Sequence, residues 1–201
     1  MAKEYKDLIV GLDIGTSKIM AVVAEVQADA SIKVLGMGVA PSTGMKRGVV
    51  VNIEASVQSI QQAVREAEMM AACKITRVIT GITGSHIRGR NSVGMVAVRD
   101  REVSPSDVAK VLETARAINI STDQRPLLVE PQEFIIDGQE VKEPIGMSGV
   151  RLESKVHIVT CAQSAAENII KCVRRCGLEV ERLMLNPLAA SIATLTEDER
   201  E

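Results

Sequence analysis

The stretch Leu8-Ile9-Val10-Gly11-Leu12-Asp13-Ile14-Gly15-Thr16-Ser17-Lys18-Ile19 restricts the fold more than any other part of the sequence. A short apolar run delivers Asp13 to a turn, Gly15 follows, and Thr16, Ser17 and Lys18 lead into a second apolar run, Ile19 to Val26. Two apolar runs bracketing a small polar turn predict a β-hairpin. The turn carries the chemistry of a phosphate site. Gly15 has no Cβ, so backbone N–H groups can come close to an anion. Thr16 and Ser17 add hydroxyl donors, Lys18 adds positive charge, and Asp13 is placed to hold a hydrated Mg²⁺ beside the phosphates. An ordinary hairpin with polar turn residues accounts for the same pattern, because short glycine motifs recur by chance. The common glycine-rich nucleotide loops are missing: G-x-x-x-x-G-K-S/T does not occur, and no G-x-G-x-x-G follows a strand.

The hairpin continues, after a turn at Gln27 to Ser31, into a third strand from Ile32 to Ala40, giving an antiparallel meander. Pro41 to Gly48 reads as a loop. Ile53, Val57, Ile60, Val64, Ala67 and Ala71 then recur at steps of four and three, one face of a helix. Asn52 is its expected N-cap, with Glu54 favoured in the first turn by the helix dipole. The helix should pack on the sheet, and Ile75 to Thr83 then reads as a strand.

From there the pattern changes. Val93 to Val98 is a short strand, and Ser104-Pro105-Ser106-Asp107 opens a helix with a capping serine, proline at the first position and an acid three residues on. Val108, Val111, Leu112, Ala115 and Ile118 form its apolar stripe. Strands at Leu127 to Ile136 and Lys155 to Cys161 enclose a loop, Asp137 to Gly149, and complete a small α+β unit. The last third returns to helix and strand. Ser164 with Glu167 reads as a capping box, Gly177 as the stop, Leu178 to Leu185 as a strand, and Asn186-Pro187 as the cap and first turn of a helix running to Leu195.

Composition limits what these elements belong to. With 201 residues the chain can hold one or two domains, and 46% apolar with 25% charged residues is the balance of a soluble globular protein. There is no Trp, one Tyr and one Phe, so the core must be aliphatic. A net charge of -2 gives no electrostatic reason to expect nucleic acid. No apolar run approaches the roughly 20 residues of a membrane span, and Met1 to Asp7 is not a signal peptide, so the default compartment is the cytosol. Cys73, Cys161, Cys172 and Cys176 fit that compartment as free thiols. Cys172 and Cys176 have a helical spacing that would suit a metal, but no C-x-x-C pair accompanies them, and His86 and His157 are distant in sequence.

With residues 85–162 set aside as an insert, the order is three strands, helix, strand, helix, strand, helix. That order resembles one lobe of the actin-like ATPases, sugar kinases and heat-shock-70 chaperones. Gly11 to Lys18 looks like their first phosphate motif, and Asn186-Pro187-Leu188-Ala189-Ala190-Ser191 resembles their connecting-helix motif. Further segments are similar to FtsA, the actin-like bacterial division family: Ser42 to Glu54, Gly81 to Ile87, Pro131 to Asp137, Gly146 to Glu153 and Cys176 to Val180. The place of the insert agrees, since that family carries an extra subdomain, 1C, in this lobe.

The resemblance implies an α/β fold, an actin-like (ribonuclease H-like) ATPase lobe at 1–84 and 163–201 (subdomain 1A, incomplete), interrupted by a small α+β subdomain at 85–162. It implies ATP and Mg²⁺ as cofactors of a longer parent that is at most a weak ATPase. Gly15, Thr16, Ser17 and Lys18 would bind phosphate and Asp13 the metal through water, with no direct metal ligand. It also implies self-association into filaments, a link between the FtsZ ring and the cytoplasmic face of the inner membrane, and recruitment of later division proteins through the insert. The second phosphate motif, D-x-G-x-G-T, does not occur here. The adenosine segment, the FtsZ-binding subdomain and the membrane helix belong to parts of the family that follow this lobe. The expectation is therefore an N-terminal fragment with half a nucleotide site, weak or no ATP binding alone and no hydrolysis. A pilus-assembly scaffold or a sugar kinase lobe are the alternatives with the same hairpin.

Overall fold

Alternation along the hairpin decides the first sheet. The computed structural model describes residues 8–117, 120–196 and 198–199. In chain order it holds β1 (Leu8–Ile14), β2 (Lys18–Val26), β3 (Ile32–Pro41), β4 (Met45–Lys46), β5 (Val49–Val50), α1 (Ile53–Ala71) and β6 (Arg77–Ile82). There follow β7 (Arg88–Ala97), α2 (Pro105–Arg116), β8 (Gln124–Ile136), β9 (Gln139–Val141) and β10 (Arg151–Ala162). The chain then gives α3 (Gln163–Arg175), β11 (Glu179–Leu185) and α4 (Asn186–Thr194). It divides into two compact units, Met1–His86 with Gln163–Glu201, and Ile87–Ala162.

The first unit is built on a five-stranded sheet in the order β11-β6-β1-β2-β3. β1 and β2 are antiparallel from Leu8↔Glu25 to Ile14↔Ile19, whereas β1, β6 and β11 run parallel. Val10, Leu12 and Ile14 point to one face, where their partners Val23, Ala21 and Ile19 are equally buried. Helix α1 lies on that face. It reaches backbone contact because β3 presents no side chain there: a Cβ on Gly38 would stand 1.9 Å from the Ala63 carbonyl oxygen, and one on Gly36 2.6 Å from the Ala71 nitrogen. Ala63, Ala67 and Ala71 are the small residues that match them. The Asn52 side chain caps α1 by accepting from the Ala55 N–H at 3.0 Å, as expected.

The second unit has a four-stranded antiparallel sheet, β7-β10-β8-β9, with α2 on one face. Val98, Val103, Val111, Ile136 and Leu152 form its main core. Gly94 does here what Gly38 does in the first unit, since its Cβ would meet the Val111 carbonyl oxygen at 2.2 Å. The first residue of β7, Arg88, pairs with Thr160 near the end of β10, so the unit begins and ends on adjacent strands.

Several expectations are corrected. The loop from Pro41 to Gly48 contains β4, which pairs with β5 through a tight turn at Arg47 (φ 51°) and Gly48 (φ 79°). The strand expected from Val93 starts five residues earlier at Arg88, and the loop from Asp137 contains β9. The Ser164 capping box is not formed: α3 begins at Gln163, whose side-chain amide donates to Glu167 Oε1 at 2.8 Å. Gly177 does stop α3, in a left-handed turn (φ 78°) with Gly177 N–H on the Arg174 carbonyl and Leu178 N–H on that of Val173. Ile118, expected on the α2 stripe, lies outside the described residues.

Candidate functional site

The parallel strands β1, β6 and β11 end side by side, and open α/β sheets offer ligand sites at the carboxyl ends of such strands. Asp13 stands near the end of β1, Gly81 near the end of β6, and Asn186 directly after β11. Register puts Asp13 opposite Met20, on the sheet face away from α1. On that face a cleft of about 460 Å³ is lined by Ile9, Met20, Val22, Ile79 and Met184, together with Asp13 and Asn186. Its walls are mostly apolar.

The hairpin turn is closed by the Gly15 N–H donating to the Lys18 carbonyl at 3.1 Å. A Cβ on Gly15 would stand 2.7 Å from that same carbonyl oxygen. Glycine is therefore required first by the turn itself, a stricter reason than the approach of an anion. Thr16 and Ser17 lie between the strands, so neither ladder uses their amides. Two contacts brace them: Thr16 Oγ1 accepts from the Gly48 N–H at 3.0 Å, and the Ser17 carbonyl accepts from the Ser42 N–H at 3.1 Å. Because Thr16 Oγ1 accepts, its own proton is left to donate. Gly48 in turn has a left-handed backbone, and a Cβ there would press on the Thr83 carbonyl oxygen at 2.5 Å. Ser17 and Lys18 are exposed. The five residues expected at the site are thus together at one strand end, with Ser42 and Gly48 added as supports. Ser42 Oγ is buried there with no hydrogen-bond partner.

Asn186 departs from expectation. It is the first residue of α4, and Leu185, in the cap position, makes no side-chain cap. Instead the Asn186 Nδ2 donates to Asp13 Oδ1 at 2.8 Å. The sequence signal for a cap, Asn before Pro, was present; the partner 173 residues away had no local signal.

The cysteines behave as structural thiols. Burial, and then the neighbouring Cys172, push the Cys176 thiol up to about 11, and its Sγ donates to the carbonyls of Cys172 (3.3 Å) and Val57 (3.6 Å). Burial likewise raises Cys172 and Cys161. Among the described residues no three His, Cys, Asp or Glu side chains are grouped to hold a metal.

Comparison with known proteins agrees with this architecture. The family model for the SHS2 domain inserted in FtsA matches residues 84–160. A cell division protein FtsA of Pseudomonas aeruginosa is 58% identical over 195 residues, covering 96% of this chain and 47% of that protein. The chain belongs to the FtsA family. FtsA of Escherichia coli K12 is 45% identical over 197 residues, covering 98% of this chain and again 47% of the relative. The chain spans about half the length of the curated relatives it matches. A chain of the PilM–PilN type IV pilus biogenesis complex shares the fold at a TM-score of 0.60 and 18% identity, covering 92% of this chain and 49% of its own. At that identity it speaks for the fold alone. The fold is an actin-like ATPase lobe interrupted by an SHS2 insert, in a family of cell division proteins. No helix among the described residues is long and apolar enough to cross a membrane.

Proposed function

We propose that this chain is the first lobe and insert of a nucleotide-dependent division scaffold. The hairpin turn at Gly15–Lys18 receives the phosphates of ATP. The observation that carries this reading is the turn itself: two amides outside the ladders, two hydroxyls and an exposed ammonium gathered beside a carboxylate whose Oδ2 has no hydrogen bond among the described residues. Bound Mg²⁺ would supply charge neutralisation of the phosphates, held by Asp13 through water, as hard cations with octahedral shells usually are. The full-length protein polymerises, links the FtsZ ring to the inner membrane through its later parts, and recruits division proteins through the insert. Transition-state stabilisation in phosphoryl transfer needs groups on both sides of the phosphate chain, so the lobe alone binds ATP weakly and hydrolyses none.

The test compares ATP with adenosine in the full-length protein. Thr16→Val together with Ser17→Ala should lower ATP affinity by about tenfold, a loss of about 1.4 kcal/mol, and leave adenosine affinity in place. If calorimetry shows equal ATP affinity in a folded double variant, this turn is not the phosphate site.

A further inference from the structure

We infer that Asn186 is a positioning residue for Asp13, seated by the missing side chain of Gly81. This rests on the phosphate reading above and assigns a role to two residues outside the turn. Asn186 belongs to a helix start, where asparagine ordinarily folds back onto the second or third N–H. It does not do so here; α4 is left without a side-chain cap, and the amide is used on Asp13 Oδ1 at 2.8 Å. A carboxylate only accepts, so the amide NH₂ is the group that faces it and the Asn186 Oδ1 is turned away. That oxygen lies over Gly81. A Cβ built on Gly81 would stand 1.7 Å from it, and 2.7 Å from the amide carbon. Gly81 has no left-handed backbone to explain the glycine, so the space for Asn186 is the reason it must lack a side chain. Met184↔Gly81 and Leu12↔Thr80 set the strands in register so that the three residues meet. The buried Thr80 hydroxyl, donating to the Leu12 carbonyl at 3.0 Å, fixes β6 against β1 just before them.

The consequence is directional. One oxygen of Asp13 is tied down by a charge-assisted hydrogen bond, and the carboxylate is held in one plane with Oδ2 presented to the turn. A water-held cation beside phosphate depends on that orientation, because its octahedral shell tolerates little misplacement. Without Asn186 the carboxylate is free to rotate and the metal-dependent part of nucleotide binding falls. Gly81→Ala reaches the same end without touching either polar residue.

The experiment measures ATP affinity of the full-length protein in Mg²⁺ and in EDTA, and reads the ratio. Asp13→Asn should bring the ratio close to one. Asn186→Ala and Gly81→Ala should each reduce it by about tenfold, the low end of the scale of one hydrogen bond to a charged group, and adding Asn186→Ala to Asp13→Asn should change it no further. A purely structural role would lower both affinities together and leave the ratio intact, which overturns the inference. If Asp13→Asn removes the metal effect while Asn186→Ala and Gly81→Ala keep it, the inference also fails and the phosphate reading stands. If the wild type shows no metal effect, both fail. Should Asn186→Ala not fold, Gly81→Ala carries the same comparison.

Discussion

Both sheets bring a helix into backbone contact over glycine, Gly36 and Gly38 beneath α1 and Gly94 beneath α2, yet they place their polar contacts differently. In the insert, polar groups meet within a loop or across neighbouring strands, as His157 does with Asn91, Lys155 with Glu133 and the Thr160 hydroxyl with Gln124. Ser104 and Asp107 cap each other across three residues, and Asp137 accepts from Val150 and Arg151 within the turn that returns the chain to β10. In the lobe, Asp13 is met by Asn186, Thr16 by Gly48, and Ser17 by Ser42, none of them a sequence neighbour. The carboxyl ends of the parallel strands β1, β6 and β11 line up only after the sheet has formed, so Asp13 and Asn186 converge from opposite ends of the chain, whereas the antiparallel ladder of the insert pairs its polar groups strand against strand. The lobe gathers polar groups at one strand end, and the insert spaces them along its ladder.

The largest test removes one side of the comparison. Arg88 and Thr160 are neighbours in register, so replacing Ile87–Ala162 by a short Gly/Ser linker joins chain ends that start close together. In the full-length protein, folding and ATP binding should persist while assembly or recruitment of division partners is lost. Thermal unfolding that disappears altogether would show the wrong boundary; normal assembly and recruitment would remove the contact role of the insert.

Next in size are the two glycine contacts. Gly38→Ala forces a methyl group into the α1 backbone and should destabilise by about 3 kcal/mol; Gly94→Ala does the same to α2 at a similar cost. Hydrogen exchange read by segment separates them. Gly38→Ala should speed exchange in β2, β3 and α1, and Gly94→Ala in β7, β10 and α2. Equal acceleration in both sheets from either change would mean the two units do not open independently.

How much of this was readable beforehand follows the same division. The hairpin, α1 with its Asn52 cap, and the α2 capping box are local patterns with periods of two or four residues, and they stand where the sequence puts them. β4, β5 and β9 are two or three residues long, too short to show a period. Ser164 and Asn186 carried cap signals that were overridden, the first by a neighbour in the same helix, where Gln163 took up Glu167, and the second by tertiary structure, where Asp13 took up Asn186. Gly15 was legible as a necessary glycine, but the atom that requires it is the Lys18 carbonyl, visible only once the turn is closed. Gly81 gave no hint of its purpose, because the group it accommodates arrives from β11.

The smallest effect tests the most local of the insert's polar contacts. Ser104 Oγ accepts from the Asp107 N–H at 3.2 Å and donates to Asp107 Oδ2 at 2.6 Å, and the Ser104 N–H donates to the same oxygen at 3.1 Å. The Ser104 hydroxyl, then its backbone N–H, hold the Asp107 carboxyl below its ordinary value of 3.8; desolvation opposes them, and Lys110 and Arg99 add to the lowering. A carboxyl lowered by folding stabilises above its unfolded pKa, and that contribution is lost as pH falls through the folded value. Ser104→Ala removes the leading cause along with the cap, at a cost of about 1 kcal/mol near neutral pH. The gap between wild type and variant should therefore narrow as pH is lowered from 7 to about 3, where unfolded Asp is largely protonated. Urea unfolding followed at both pH values measures it. A gap of the same size at both would mean the hydroxyl acts on the helix N–H alone, with Asp107 contributing nothing to the cap.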